Sequence, residues 1–306
     1  MTRSRKGDPI HGWLILDKPQ GLTSTQALGK ARRLLGAGKA GHGGTLDPLA
    51  TGILPLAFGE ATKLIPQVMD GIKQYQFTLR WGEARSTEDS EGEITAVNTH
   101  RPARDAIIAA LPGFTGIITQ TPPVYSAIKI GGKRAYDLAR AGNPVEPAAR
   151  QVQIIDLQLI SIDDADHAVF QMTCGKGTYV RSLARDLALS LGTVGHVSSL
   201  RRTKSGVFTL SHAISLEKLA ELAHKGAALT ALHPIASALD DIPAHAIDAQ
   251  EAQRLRRGQP IILARAEDGT QTQAMFATLL ATHDGMPVAL IALKEGMWRV
   301  VRGFNL

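Results

Sequence analysis

Two periods of hydrophobic spacing run through this chain and separate its strands from its helices. From Ile72 to Trp81, Tyr75, Phe77, Leu79 and Trp81 share one face while Gln74, Gln76, Thr78 and Arg80 share the other. A period of two marks a strand with one face buried. Trp13 to Leu16 is a shorter apolar strand running into the turn Lys18-Pro19-Gln20-Gly21, and Val152 to Ile162 and Ala168 to Cys174 read as further strands. Helical spacing appears at Ala27, Leu28, Ala31, Leu34 and Leu35, after a capping Thr23 or Ser24 and before the stop Gly36. It returns at Tyr179, Val180, Leu183, Leu187 and Leu191, closed by Gly192. No internal repeat interrupts this alternation. The pattern predicts an α+β body, a mixed sheet with helices packed on it.

Near Asp240-Asp241-Ile242-Pro243 the pattern changes. Asp248 caps a predicted helix that runs through Arg257 and ends at Gly258. Four short strands are expected after it: Ile261 to Ala264, Gln273 to Ala281, Val288 to Leu293 and Trp298 to Val301. Asp268-Gly269, Asp284-Gly285 and Glu295-Gly296 supply the turns. One helix and short strands predict a small β-barrel-like module, so the chain divides into residues 1–243 and 244–306.

With 306 residues, 44% of them hydrophobic, the chain can fill a core, and no run resembles a membrane span or a secretory signal. Cys174 is the single cysteine, which excludes an intrachain disulfide and a cysteine-based zinc site. A cytoplasmic location is expected. The net charge of +6 is unevenly distributed. Residues 1–42 carry eight Lys/Arg against two acids, residues 125–150 five against two, and residues 172–206 six against one. Three basic segments against an acidic remainder are the footprint of a phosphate-tracking surface.

One loop carries candidate chemistry. Gly41-His42-Gly43-Gly44-Thr45-Leu46-Asp47-Pro48-Leu49-Ala50-Thr51-Gly52 sets a lone carboxylate, Asp47, among glycines, a proline and small residues. Such a loop can approach a ligand closely, although Asp beside Gly and Pro is also ordinary turn chemistry.

Several segments together carry a family resemblance. The Asp47 loop, continuing through Gly59-Glu60-Ala61-Thr62-Lys63, resembles the signature of pseudouridine synthases of the TruB type. Leu16-Asp17-Lys18-Pro19 with Gly21-Leu22-Thr23-Ser24 is similar to that family's N-terminal motif. Gln120-Thr121-Pro122-Pro123, Ser126-Ala127-Ile128-Lys129 and Ala135-Tyr136 resemble its RNA-gripping insertion, placed at about 124–152. Gly177-Thr178-Tyr179-Val180-Arg181-Ser182-Leu183 and Leu200-Arg201-Arg202-Thr203, with Gly206 and Phe208, resemble the last two motifs. The likeness spans residues 12 to 210 in register, and the C-terminal module resembles a PUA domain. Gly43 departs from the pattern where a hydroxyl residue is usual, and Gly175 where serine is common.

The resemblance implies isomerisation of uridine to pseudouridine at position 55 in the T-loop of tRNA. That reaction breaks the N1–C1′ bond, rotates the base and joins C5 to C1′. It needs no metal and no cofactor. The resemblance implies Asp47 as the catalytic carboxylate, Arg181 as its partner and Tyr75 as a base-stacking ring. A guanidinium offers a planar fork suited to a carboxylate. Leu200 and Tyr179 are placed at the pocket, His42 in the space vacated by the flipped nucleotide, and Lys63 at phosphate or pocket. Lys129, Lys133 and Arg134 on the insertion, and Arg201, Arg202 and Lys204 beyond the pocket, are expected phosphate contacts. The implied partner is tRNA, gripped at the T-arm and toward the acceptor end. No guide RNA and no membrane are expected, and the expected state is a monomer.

Two other classes fit parts of the sequence. A non-catalytic RNA-binding or RNA-folding protein would use the same basic surface, but would not require Asp47, Tyr75 and Arg181 together. An enzyme of a phosphorylated small substrate would use the glycines as a phosphate cradle, where Asp47 would repel the ligand.

Overall fold

The computed structural model describes residues 7–143, 145–239, 242–262 and 278–306. The chain opens with β1 (Gly12–Lys18), α1 (Ser24–Leu35), β2 (Ala40–His42) and β3 (Thr51–Phe58). A 3-10 turn (Gly59–Leu64) leads to α2 (Ile65–Asp70), β4 (Lys73–Trp81) and the hairpin of β5 (Glu83–Arg85) and β6 (Ile94–Val97). Next come α3 (Arg104–Ala110), β7 (Gly116–Gln120), a small hairpin of β8 (Lys129–Ile130) and β9 (Lys133–Arg134), and α4 (Ala135–Arg140). The body is completed by β10 (Arg150–Ile162), β11 (His167–Cys174), α5 (Val180–Ser190), β12 (Gly195–Ser205), β13 (Phe208–Thr209) and α6 (Leu216–His224). After it come β14 (Ala244–Ala246), α7 (Ala249–Arg256), β15 (Thr278–His283), β16 (Met286–Lys294) and β17 (Met297–Gly303).

Local chemistry sets the ends of these elements. Thr23 and Gln26 form a capping box at the head of α1, and Gly36 ends it at φ 68°. Asp248 and Glu251 form the same box on α7. Arg150, the first residue of β10, pairs with Gln120, the last of β7, so the segment between them leaves and rejoins the sheet at one point.

The strands of the body form one nine-stranded sheet along the path β1-β3-β12-β4-β11-β10-β7, with β2 on β3 and β13 on β12. Among its described pairings only β3·β12 is parallel, with Thr51 and Gly52 opposite Arg201 and Arg202. One face is covered by α1, α5 and α6, whose Ala27, Ala31, Leu183, Leu187 and Leu219 pack on Phe77, Leu79 and Phe170. Along one edge of β3 the sheet parts: β12 pairs with its first residues and β2 with Leu56 to Phe58. The loop carrying Asp47 joins β2 to β3 at this opening. Gly52 makes the close approach possible: its φ is +94°, and a Cβ there would meet Arg202 O at 2.2 Å.

The C-terminal strands correct the sequence reading. Their sheet is the open path β14-β15-β16-β17, and it does not close into a barrel among the described residues. The physical reason is that this sheet is covered on both faces. Leu279, Ala281 and Ile291 pack with Ala252 and Leu255 of α7. The alternate residues Leu280 and Leu290 pack with Trp13, Ile15 and Phe208 of the body. A sheet that buries both faces against other elements has no need to curl on itself. Of the expected strand Ile261 to Ala264, Ile261 makes a single bridge to Trp298 and the part from residue 263 lies outside the described residues. The expected Asp268-Gly269 turn, the start of the Gln273 strand and the Asp240-Asp241 boundary also lie outside them. Among the described residues no helix is long and apolar enough to cross a membrane.

Candidate active site

The Asp47 loop is held from both sides. Before the aspartate, buried Ser24 accepts from Leu46 N–H at 2.8 Å and its hydroxyl donates to Leu46 O at 3.0 Å. After it, Pro48 O accepts from Gly21 N–H at 2.8 Å and from Lys18 Nζ at 3.3 Å. The N-terminal Lys-Pro segment therefore fixes the loop without touching the cavity. Lys18 is fully buried, and that burial pushes its ammonium down to about 8, against the pull of Asp47 and Glu91.

The loop forms one wall of a cavity of about 260 Å³. Other walls come from Lys73 and Tyr75 of β4, Tyr179 and Arg181 at the head of α5, and Leu200 and Arg202 of β12. Five charged residues line it: Asp47 as the one carboxylate, with Lys73, Arg150, Arg181 and Arg202 as cations. This excess of positive charge, three of its four cations buried, suits an anionic ligand.

Asp47 and Arg181, expected as partners, meet here. Arg181 Nε lies 3.0 Å from Asp47 Oδ2 and 3.7 Å from Asp89 Oδ2. The Nε–H makes no directional hydrogen bond, so the contact is ionic. The guanidinium is 4% exposed and is fixed by its other nitrogens, Nη1 donating to Thr87 O at 2.8 Å and Nη2 to Tyr125 O at 2.9 Å. It thus ties together the Asp47 loop, the loop 86–92 and the root of the insertion. Asp89, buried and bonded by Thr87 Oγ1 and Glu91 N–H, brings a second carboxylate to the arginine.

Tyr75 of β4 and Leu200 of the adjacent strand β12 both line the cavity. Burial pushes its phenol up, with the neighbouring Arg202 guanidinium opposing, so the hydroxyl stays protonated at neutral pH. Tyr179 precedes α5, and Arg150 stacks over its ring with Cζ 5.1 Å from the centroid.

Other expected site residues lie differently. Arg202 is 1% exposed and points inward, Nε donating to Ile53 O at 2.7 Å and Nη2 to Gly44 O at 3.1 Å, so it belongs to the cavity wall and not to an outer phosphate surface. Lys63 is outside the cavity lining; its Nζ binds Glu60 Oε2 at 2.5 Å and Gly303 O at 2.8 Å, fastening β17 to the body. Arg201 makes a two-pronged pair with Asp17 at 3.0 and 2.8 Å. His42 ends β2 and is not among the lining residues. Lys133 and Lys204 retain solvent access, and Lys129 stands opposite Arg134 in the backbone register of β8·β9.

Lys73 was missed by the sequence reading. It is 6% exposed, with Nζ donating to Val68 O, Met69 O and Gly71 O, which are carbonyls at the end of α2. Desolvation first, then repulsion by Arg202, pushes its ammonium down to about 8, with Cys174 and Asp70 opposing. Its signal was present: Lys73 is in phase with Tyr75 and Phe77 on the buried face of β4.

Sheet and cavity together define a class of protein: a mixed-sheet α+β fold with an aspartate–arginine pair in a cavity rich in cations. The fold is similar to a chain of a solved H/ACA ribonucleoprotein bound to a substrate RNA containing 2′-deoxyuridine, with TM-score 0.71, 22% identity and coverage of 100% of this chain and 92% of that one. Residues 32–180 match the model described as TruB family pseudouridylate synthase (N terminal domain), and residues 181–241 that described as tRNA pseudouridylate synthase B C-terminal domain. The chain is 49% identical to tRNA pseudouridine synthase B of Rhodospirillum rubrum, over 100% of both chains. It is 48% identical to the protein of the same name from Caulobacter vibrioides, again over 100% of both. The chain belongs to the TruB family of pseudouridylate synthases, and is an isomerase.

Proposed function

We propose that this enzyme isomerises uridine 55 in the T-loop of tRNA to pseudouridine, with Asp47 as the essential carboxylate. The observation that carries the reading is the Asp47–Arg181 contact, 3.0 Å long, on the wall of a cavity rich in cations. A base inside a stack cannot reach such a carboxylate, so the uridine turns out, at a cost of a few kcal/mol of unstacking offset by phosphate contacts. Tyr75 stacks on the extruded base, and Leu200 closes the other side. Asp47 initiates cleavage of N1–C1′. The freed uracil, held between the two side chains, rotates and rejoins through C5, and the C5 proton is released to solvent. Arg181 holds Asp47 in line for the sugar while its other nitrogens stay with backbone carbonyls.

Lys133, Lys204 and the backbone-paired Lys129 and Arg134 grip the T-arm, and no guide RNA takes part. The division near residue 243 separates a catalytic body from a C-terminal unit that reaches toward the acceptor end. The reading is supported by tRNA in the names of the relatives, and by the basic character of residues 125–150 and 172–206.

The test is tritium release from unmodified tRNA labelled at uridine C5, comparing the native protein with Asp47→Asn. Release confined to the T-loop uridine, lost in the variant while tRNA binding persists, is the expected result. Tight tRNA binding with no release by the native protein would replace this reading with a binding or RNA-folding role.

A further inference from the structure

Gln120, the last residue of β7, is 1% exposed and spends both ends of its carboxamide on one residue. Its Oε1 accepts from Tyr179 N–H at 2.8 Å, and its Nε2 donates to Tyr179 O at 3.0 Å. Tyr179 is the cap position of α5 and provides no side-chain cap of its own. Its carbonyl also accepts the first helical bond, from Leu183 N–H at 3.1 Å. Two bonds of opposite sense on one residue fix both the height and the rotation of the helix start. Arg181 follows two residues later.

The same staple continues along the next residues of the chain. Thr121 O accepts from Ser182 Oγ at 2.8 Å and from Arg185 Nη2 at 3.1 Å, and Tyr125 O accepts from Arg181 Nη2 at 2.9 Å. Residues 120–125 are the stem from which the β8–β9 hairpin and α4 leave the body. They are joined to the helix of the catalytic arginine at every one of these points.

We propose that Gln120 is a positioning residue of the reaction: through the backbone of Tyr179 it sets where Arg181 meets Asp47, and it registers the stem of the RNA-gripping arm against that pair. This deepens the functional reading above and rests on it. A first turn without its own cap frays readily. Displacement of a catalytic group by about 1 Å is enough to lose about a hundredfold in rate. Glutamate at position 120 would still accept from Tyr179 N–H but would set an oxygen against Tyr179 O; methionine would leave Tyr179 N–H unpaired and Tyr179 O with only its bond from Leu183 N–H.

Gln120→Met and Gln120→Glu are compared with the native enzyme on unmodified tRNA in single turnover, with enzyme in excess. The rate is expected to fall about tenfold or more in each, with tRNA affinity held within about twofold. In an Arg181→Lys background the same Gln120 changes should cost little more, because both act on one group; fully additive losses would overturn the proposal. A readout without RNA separates this from the reaction itself. The Arg181 Nε–H nitrogen resonance, assigned by its loss in Arg181→Lys, should shift in Gln120→Met. An unmoved resonance in a folded variant overturns the positional link, even if tRNA turnover falls. If the native protein releases no tritium, the functional reading fails while the resonance still decides the link. Should Gln120→Met not fold, Gln120→Glu carries both measurements.

Discussion

Replacing Lys73 by methionine isolates the energetic consequence of a buried cation in the cavity wall. Lys73 is 6% exposed, and its ammonium titrates at about 8 in place of its ordinary 10.5. Below pH 8 both folded and unfolded chains carry the charge, and folding bears the full desolvation cost. Between pH 8 and 10.5 the unfolded chain still holds the proton and the folded chain has released it, so stability attributable to this residue rises with pH. The slope is about 1.4 kcal/mol per pH unit, reaching about 3 kcal/mol across the window. Lys73→Met removes that titration and also deprives Val68 O, Met69 O and Gly71 O of a donor, a pH-independent loss of about 1–3 kcal/mol. Urea unfolding of both proteins at pH 7, 8, 9 and 10 gives the difference directly, since every other titrating group cancels. The native protein should gain on the variant by about 1 kcal/mol per pH unit above 8. A difference flat across this range, or one that shrinks as pH rises, would refute the burial argument.

Other perturbations test other parts of the structure. Gly52→Ala places a Cβ 2.2 Å from Arg202 O at a φ of +94°, and should destabilise by about 3 kcal/mol or more in chemical unfolding, with loss of the cavity. Cys174 is buried and its thiol is pushed up to about 11 by that burial, so iodoacetamide at pH 8 should label it only as fast as the protein opens; rapid labelling of native protein would contradict this. Binding of tRNA should weaken steeply with potassium chloride, and Lys133→Gln should reduce the slope of log affinity on log salt by about one. A native affinity indifferent to salt would contradict the basic-surface argument.

Much of the body was legible because its strands bury one face and its helices one stripe. The β4 alternation, the α1 caps and the α5 stripe all follow from residue spacing, and Asp47 and Arg181 stood out through the motifs around them. Arg202 was misplaced because its charge outweighed its phase. It shares a strand face with Leu200, which is buried, whereas Arg201 between them points outward to Asp17. Lys63 had a similar hint, since Glu60 three residues earlier is its partner on the 3-10 turn. The barrel expectation overlooked a different pattern. Leu279-Leu280-Ala281 and Val288-Ala289-Leu290-Ile291 are unbroken apolar runs, which indicate cover on both faces more than a wall with one wet side. Gly43, a departure from the family pattern, has a steric cause invisible in the sequence: a Cβ there would meet Val68 Cγ1 at 2.8 Å. Gly175 has no such neighbour, its nearest contact being Gln153 Cβ at 3.6 Å.

The parallel joint between β3 and β12 has a consequence for how the protein comes into being. Thr51 donates to Leu200 O across 149 residues of chain, and the cavity takes walls from both sides of that joint. Pairings so distant in sequence are slow to form. During synthesis the Asp47 loop emerges early, yet Arg181, Leu200 and the strand that pairs with β3 arrive only between residues 181 and 205, past the middle of the chain. A ribosome-bound or truncated product therefore displays basic segments able to touch RNA without a cavity able to alter it. The cavity lacks Leu200 and Arg202 until β12 has emerged, so chains cut short before that strand are expected to be inactive.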